Sequence, residues 1–170
     1  MAHRALGYFM SNSLSLAWFF VAVLFAFPAY SQKRPGEVVT VKSISIKGDV
    51  KPGVDVTAVI QFAVDEGFHT QANLPSEPNF IPAVLKFEPV VGLVVSPPKY
   101  PAGKEEKVEG LPKPMKVYEG TFEILVPIKI SAGATLPLSL PGLLSYQACK
   151  GSTCFAPRKL KLAIAIGPKS

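Results

Sequence analysis

Three stretches of the chain alternate apolar and polar residues with the period of two that marks a strand with one buried face. Val54, Val56, Ala58, Ile60, Phe62 and Val64 share one side, and Asp55, Thr57 and Gln61 share the other. Phe122, Ile124, Val126, Ile128 and Ile130 repeat the pattern opposite Thr121, Glu123 and Lys129. Leu160, Leu162, Ile164 and Ile166 alternate with Lys159, Lys161, Ala163 and Ala165. Shorter apolar runs predict further strands over residues 38–46, 84–87, 93–95, 136–140 and 143–149. Turn chemistry separates them: Gly48-Asp49 and Pro52-Gly53 between the first two, then Pro75, Pro78 and Pro82 after His69. Pro97-Pro98, Pro101 and Gly103 open a charged loop that runs to about Pro114. No stretch carries a long helical period. Seven to nine short strands punctuated in this way predict an all-β antiparallel sandwich, with a β-barrel as the alternative.

The N-terminus breaks the pattern. Arg4 is the only charged residue before Lys33, and residues 14–27 are apolar except for Ser15. Pro28 ends that run, and Ala29-Tyr30-Ser31 places small residues at the −3 and −1 positions of a cleavage site before Gln32. This is the layout of a secretory signal peptide. The run is short of the ~20 apolar residues of a membrane span, which weighs against an uncleaved anchor. We therefore expect a cleaved leader over residues 1–31 and a single exported domain over residues 32–170. Trp18 falls in the leader and has no place in the fold.

Charge excludes more than it identifies. The formal net charge is +6, with 18 basic and 12 acidic residues, but the lysines are scattered and form no aromatic-interleaved basic stripe. Nucleic-acid binding is therefore not expected. After the leader the chain keeps one histidine, His69, and the two cysteines of the whole chain. A cysteine-rich zinc site or a disulfide-dense scaffold is excluded by that count, and a histidine-based metal site is not expected. No nucleophile–base–acid set, phosphate loop or paired-carboxylate signature is present.

What remains is the cysteine pair, Cys149 and Cys154, within Tyr146-Gln147-Ala148-Cys149-Lys150-Gly151-Ser152-Thr153-Cys154-Phe155-Ala156-Pro157. A strand ending at Cys149 and one starting after Pro157 would form a hairpin, with 150–153 as its tip and the sulfurs facing each other. Two readings compete: a structural disulfide in an immunoglobulin-like binding module, or a redox-active pair. Closing so short a loop stabilises by only about 2 kcal/mol, against ~4.7 for a hundred-residue loop. A local staple of that size adds little to a domain with its own core. A pair at a loop tip is open to an incoming thiolate, and Lys150 favours the thiolate form of its neighbour Cys149.

The same residues resemble the active-site hairpin of the N-terminal periplasmic domain of DsbD, the transmembrane thiol:disulfide interchange protein. The resemblance extends to Gly67-Phe68-His69 with Ala72-Asn73, to Pro75-Ser76-Glu77-Pro78 and Ile81-Pro82-Ala83, and to Tyr118-Glu119-Gly120 leading into residues 122–130. It implies an immunoglobulin-like fold and a pair that cycles between dithiol and disulfide without a bound cofactor, as a protein-disulfide reductase or interchange component. It further implies a periplasmic or otherwise extracytoplasmic location. Reducing equivalents would come from a membrane-embedded thiol carrier through a thioredoxin-like domain. They would pass to thioredoxin-fold partners such as disulfide isomerases and proteins of cytochrome c maturation. By the same resemblance Cys154 forms the mixed disulfide and Cys149 resolves it. The family's shielding cap loop, with its aromatic residue, is expected over residues 97–103 with Tyr100. Two departures stand out. The family protein continues into membrane spans and a thioredoxin-like domain while this chain stops at Ser170, so either the electron donor is expected to be a separate protein or the domain serves a different partner. Phe155-Ala156-Pro157 also replaces the commoner Leu-Pro-Pro or Tyr-Pro-Pro, which bears on partner choice.

Other residues receive plainer readings. His69 reads as a hydrogen-bonded structural histidine rather than a catalytic base. Tyr146 and Gln147 either orient the cysteines by hydrogen bonding or, in the case of Tyr146, fill the core. Glu105, Glu106 and Glu109 read as part of a solvated loop, the alternative being that the loop folds over the hairpin and they tune the thiol pKa.

Overall fold

The alternating stretches form long strands because each can bury its apolar side against a second sheet while its polar side stays wet. The computed structural model describes residues 34–108 and 113–167. Among them the strands follow in the order β1 (Val39–Lys47), β2 (Asp55–Val64), β3 (His69–Gln71), β4 (Val84–Phe87), β5 (Leu93–Val95), β6 (Lys104–Glu106), β7 (Met115–Tyr118), β8 (Thr121–Ile130), β9 (Leu138–Tyr146), β10 (Ala148–Lys150), β11 (Thr153–Cys154) and β12 (Arg158–Ile166). No helix occurs among the described residues. All of these strands belong to the compact unit Lys33–Ser170. The expected leader at residues 1–31 and Glu109 lie outside the described residues.

The strands form three antiparallel sheets, in the orders β1-β2-β8-β5, β12-β9-β4 and β11-β10-β3-β7-β6. The first two face each other. From the first come Val56, Ala58, Ile60 and Phe62 of β2 with Phe122, Ile124, Val126, Ile128 and Ile130 of β8. From the second come Leu85, Leu140, Leu144, Ile164 and Ile166. Register places Phe62 opposite Phe122, whose rings stack at 5.3 Å, and Tyr118 stacks on Phe122 at 4.5 Å. The third sheet closes one end, with Tyr118 and Ala148 joining the same core. The expected all-β, immunoglobulin-like antiparallel sandwich is the architecture found.

Two departures from expectation have local causes. The strands expected at 136–140 and 143–149 join through Pro141 into β9, and the second breaks at Gln147, so that Ala148 and Cys149 belong to β10. Pro141 lies where β4 has ended; Glu88 N–H donates to its carbonyl at 3.0 Å, and only the return bond is missing. Gly142 follows because a Cβ there would meet the Phe87 ring at 2.8 Å. The second departure is the third sheet. β3, β6 and β7 are three or four residues long, too short to show a period, and β6 falls in the stretch expected to be a solvated loop.

A disulfide hairpin as the candidate functional site

The site is built by a ribbon that changes sheets. β9 and β12 pair from Leu138 opposite Ile166 to Tyr146 opposite Arg158. Beyond Tyr146 the chain leaves that sheet, and β10 and β11 continue the hairpin as the edge of the third sheet. Gln147 sits at the break. Its Nε2 donates to the Phe155 carbonyl at 3.1 Å, while Phe155 N–H donates to Ala148 O at 2.8 Å. These bonds fix the base of the hairpin. They also leave Cys149 and Cys154 at the following non-hydrogen-bonded position, where facing residues approach most closely. The two are register partners with Cα atoms 4.0 Å apart, and the sulfurs are bonded. Lys150 pairs with Thr153 around a two-residue turn at Gly151, whose φ of 55° favours glycine.

The two sulfurs see different surroundings. Cys149 is 0% exposed, whereas Cys154 lies on the exposed rim. Of the two, Cys154 is the one that solvent reaches. Cys149 pairs on its other side with His69 of β3. Cys154, Cys149 and His69 thus form one row across three strands, their side chains on one face of the sheet. That face is polar and buried. Gln71 Nε2 lies 4.0 Å from Cys149 Sγ and 3.5 Å from Met115 Sδ. His69 Nδ1 lies 3.1 Å from Glu106 Oε2. On this face His69 Nε2, Gln71 Oε1 and Glu106 Oε2 are buried without hydrogen-bond partners, while Thr70, between His69 and Gln71, points to the opposite face. A buried polar atom left unpaired costs about 1–3 kcal/mol, so such a cluster beside the bridge calls for a use.

An aromatic pair flanks the hairpin. Gly67, at φ 76°, turns the chain from β2 into β3 and brings Phe68 to the cysteine edge. The Phe68 ring lies 5.9 Å from that of Phe155, and Lys150 Nζ sits 5.5 Å from its centroid. The lysine charge is thereby held over an aromatic face. Beside them opens a cleft of about 510 Å³ lined by Asp65, Glu66, Phe68, His69, Glu106 and Glu119. Lys104 and Glu119 form an ion pair at its rim.

The remaining sequence candidates divide. Tyr146 is buried in the core and donates its hydroxyl to Gly36 O at 3.2 Å; burial raises its pKa above the ordinary tyrosine value. Arg158 donates to Pro35 O at 3.0 and 2.7 Å, so the strap 34–37 is tied to the hairpin base from both sides. Pro157 is exposed between β11 and β12. Tyr100 is anchored elsewhere: its hydroxyl accepts from Leu85 N–H of β4 at 2.8 Å, and its segment packs near Ala72 and Tyr118. The ring packed against the hairpin is Phe68. Gln71 was not singled out by the sequence, and Glu106 was weighed only as one of three loop carboxylates, since each gains its place here from strand pairing across long separations.

A family model described as "Thiol:disulfide interchange protein DsbD, N-terminal" matches residues 37–165. Among solved structures, the reduced N-terminal domain of Neisseria meningitidis DsbD is 18% identical, with a TM-score of 0.44, covering 65% of this chain and 78% of that one. The N-terminal periplasmic domain of ScsB from Proteus mirabilis is 15% identical, with a TM-score of 0.49, covering 79% of this chain and 49% of that one. No curated protein matches the sequence.

Proposed function

The chain belongs to the family of DsbD N-terminal domains, and on that premise we propose that its Cys149–Cys154 bridge is a working redox centre in an extracytoplasmic compartment. The observation that carries the reading is the asymmetry of the pair: Cys154 is exposed at a hairpin edge while Cys149 is buried behind it. A partner thiolate attacks Cys154 Sγ, the bridge opens with its electron pair on Cys149, and a mixed disulfide forms. A second thiol of the partner then attacks its own sulfur in the mixed disulfide and leaves the domain as a dithiol. Run in the other direction, Cys149 resolves a mixed disulfide with an oxidised protein and delivers two electrons to it.

The partners are thioredoxin-fold proteins, with a membrane-embedded thiol carrier upstream as the source of electrons. Gln147 supports this role by fixing the hairpin base, and Phe68 by covering its side. The exported location is supported by the apolar N-terminal stretch and by the relative from Proteus mirabilis, which is a periplasmic domain. Trapping tests the reading. Cys149→Ala leaves Cys154 without its resolving thiol, so incubation with a thioredoxin-fold protein that keeps only its attacking cysteine, activated as a mixed disulfide with thionitrobenzoate, should yield a stable adduct mapped to Cys154. An unmodified Cys154 in folded protein contradicts the proposal.

A further inference from the structure

We infer that His69, oriented by Glu106, carries the proton that Cys149 gains when the bridge opens and loses when it closes. The inference rests on the thiol-exchange reading and goes beyond it by naming where that proton goes. Cys149 is 0% exposed, so water does not reach the sulfur that must leave as a thiolate. A bare thiolate in such a place is costly, and a proton source beside it lowers the barrier. The neighbours offer few candidates. Gln71 Nε2, at 4.0 Å, can hydrogen-bond the sulfur but has no proton to yield. Lys150 is exposed and its ammonium lies over Phe68.

His69 has the required position and chemistry. It is the register partner of Cys149, which places the two Cβ atoms about 5 Å apart on one sheet face. It is 3% exposed, and its Nε2 has no partner among the described residues. Glu106 Oε2 stands 3.1 Å from Nδ1, which leaves Nε2 as the ring nitrogen available for a proton. The other charged groups around the ring are Asp65 and Glu66 on the turn before β3, Glu119 after β7 and Lys104 on β6, the last two paired with each other. In the forward step a partner thiolate bonds to Cys154 Sγ and the Cys149–Cys154 bond breaks. Its electron pair leaves on Cys149 Sγ, which takes the Nε2 proton and leaves His69 neutral. In the reverse step Nε2 takes the Cys149 proton, the thiolate attacks Cys154 Sγ, and the partner departs as a thiolate.

The experiment is the rate of bridge reduction by dithiothreitol in the full chain, corrected for the thiolate fraction of the reagent, across about pH 5 to 8. The native chain should show a corrected rate that falls as pH rises. His69→Gln should flatten the profile and slow the acid end by about a hundredfold. Glu106→Gln, at a part-exposed position, keeps the test open if His69→Gln does not fold, and should slow reduction by about tenfold. Profiles that superimpose on the native one in a folded variant overturn the inference and leave the exchange reading standing. A native bridge that dithiothreitol does not open overturns both.

Discussion

Reducing the bridge should cost the fold little. Cys149 and Cys154 are five residues apart, and their hairpin lies at the edge of the third sheet. The main core, from Val56 and Phe62 to Ile164 and Ile166, is built without them. In the chain-entropy account a closed loop of this length restricts the unfolded chain by about 2 kcal/mol. Against a usual domain stability of about 5–15 kcal/mol, the dithiol form stays folded. Urea unfolding of the oxidised and reduced chain, followed by tyrosine fluorescence, measures the difference directly. We expect a loss of about 2 kcal/mol and a Tm lowered by roughly 5–10 °C. The Cys149→Ala/Cys154→Ala variant should lose about 1 kcal/mol more, for the buried sulfur it removes. A loss above about 5 kcal/mol, or a reduced chain without a cooperative transition, would show that the bridge holds the core together. A relay must be folded in both oxidation states, so that result would also remove the physical basis for exchange.

Three further outcomes follow from particular contacts. Phe68→Ala removes the ring that packs on Phe155 and carries the Lys150 charge; bridge reduction by a small thiol should quicken severalfold, and an unchanged rate would show that Phe68 shields nothing. Gly142→Ala places a Cβ 2.8 Å from the Phe87 ring and should cost about 1–3 kcal/mol in urea unfolding, with Phe87→Leu restoring part of it; an unaltered midpoint contradicts the packing. Burial raises the pKa of Tyr100, Tyr118 and Tyr146, so above about pH 10 the unfolded chain loses phenolic protons that the folded chain retains. Stability should therefore be full below that pH and fall as it rises; a urea midpoint that holds or climbs between about pH 9 and 11 refutes this.

The long strands were legible because each buries one side. The alternation at Val54–Val64, Phe122–Ile130 and Leu160–Ile166 is the sandwich core written as a period of two. The cysteine hairpin was legible as well, with residues 150–153 as the tip between two sulfurs. The third sheet was not, because strands of three or four residues are shorter than any period that reveals them. That loss hid the site's second half. Glu106 reads as part of a charged loop until β6 pairs with β7, and Gln71 reads as one polar residue among many until β3 sets it beside Cys149. Tyr100 illustrates the opposite hazard: an aromatic residue in a proline-rich loop fits the expectation of a cap, yet its hydroxyl is bound to β4. Phe68 was visible in Gly67-Phe68-His69, but only the turn at Gly67 shows which way it faces.

The account stands on a bridge that opens and closes under ordinary reductants. Its most direct test is the equilibrium of the Cys149–Cys154 disulfide with a thioredoxin couple of known potential, read by mass after acid quenching and alkylation. A relay bridge equilibrates with thioredoxin and has a potential above about −300 mV. A bridge that stays oxidised against excess reduced thioredoxin, with a potential below that value, is structural and contradicts the account.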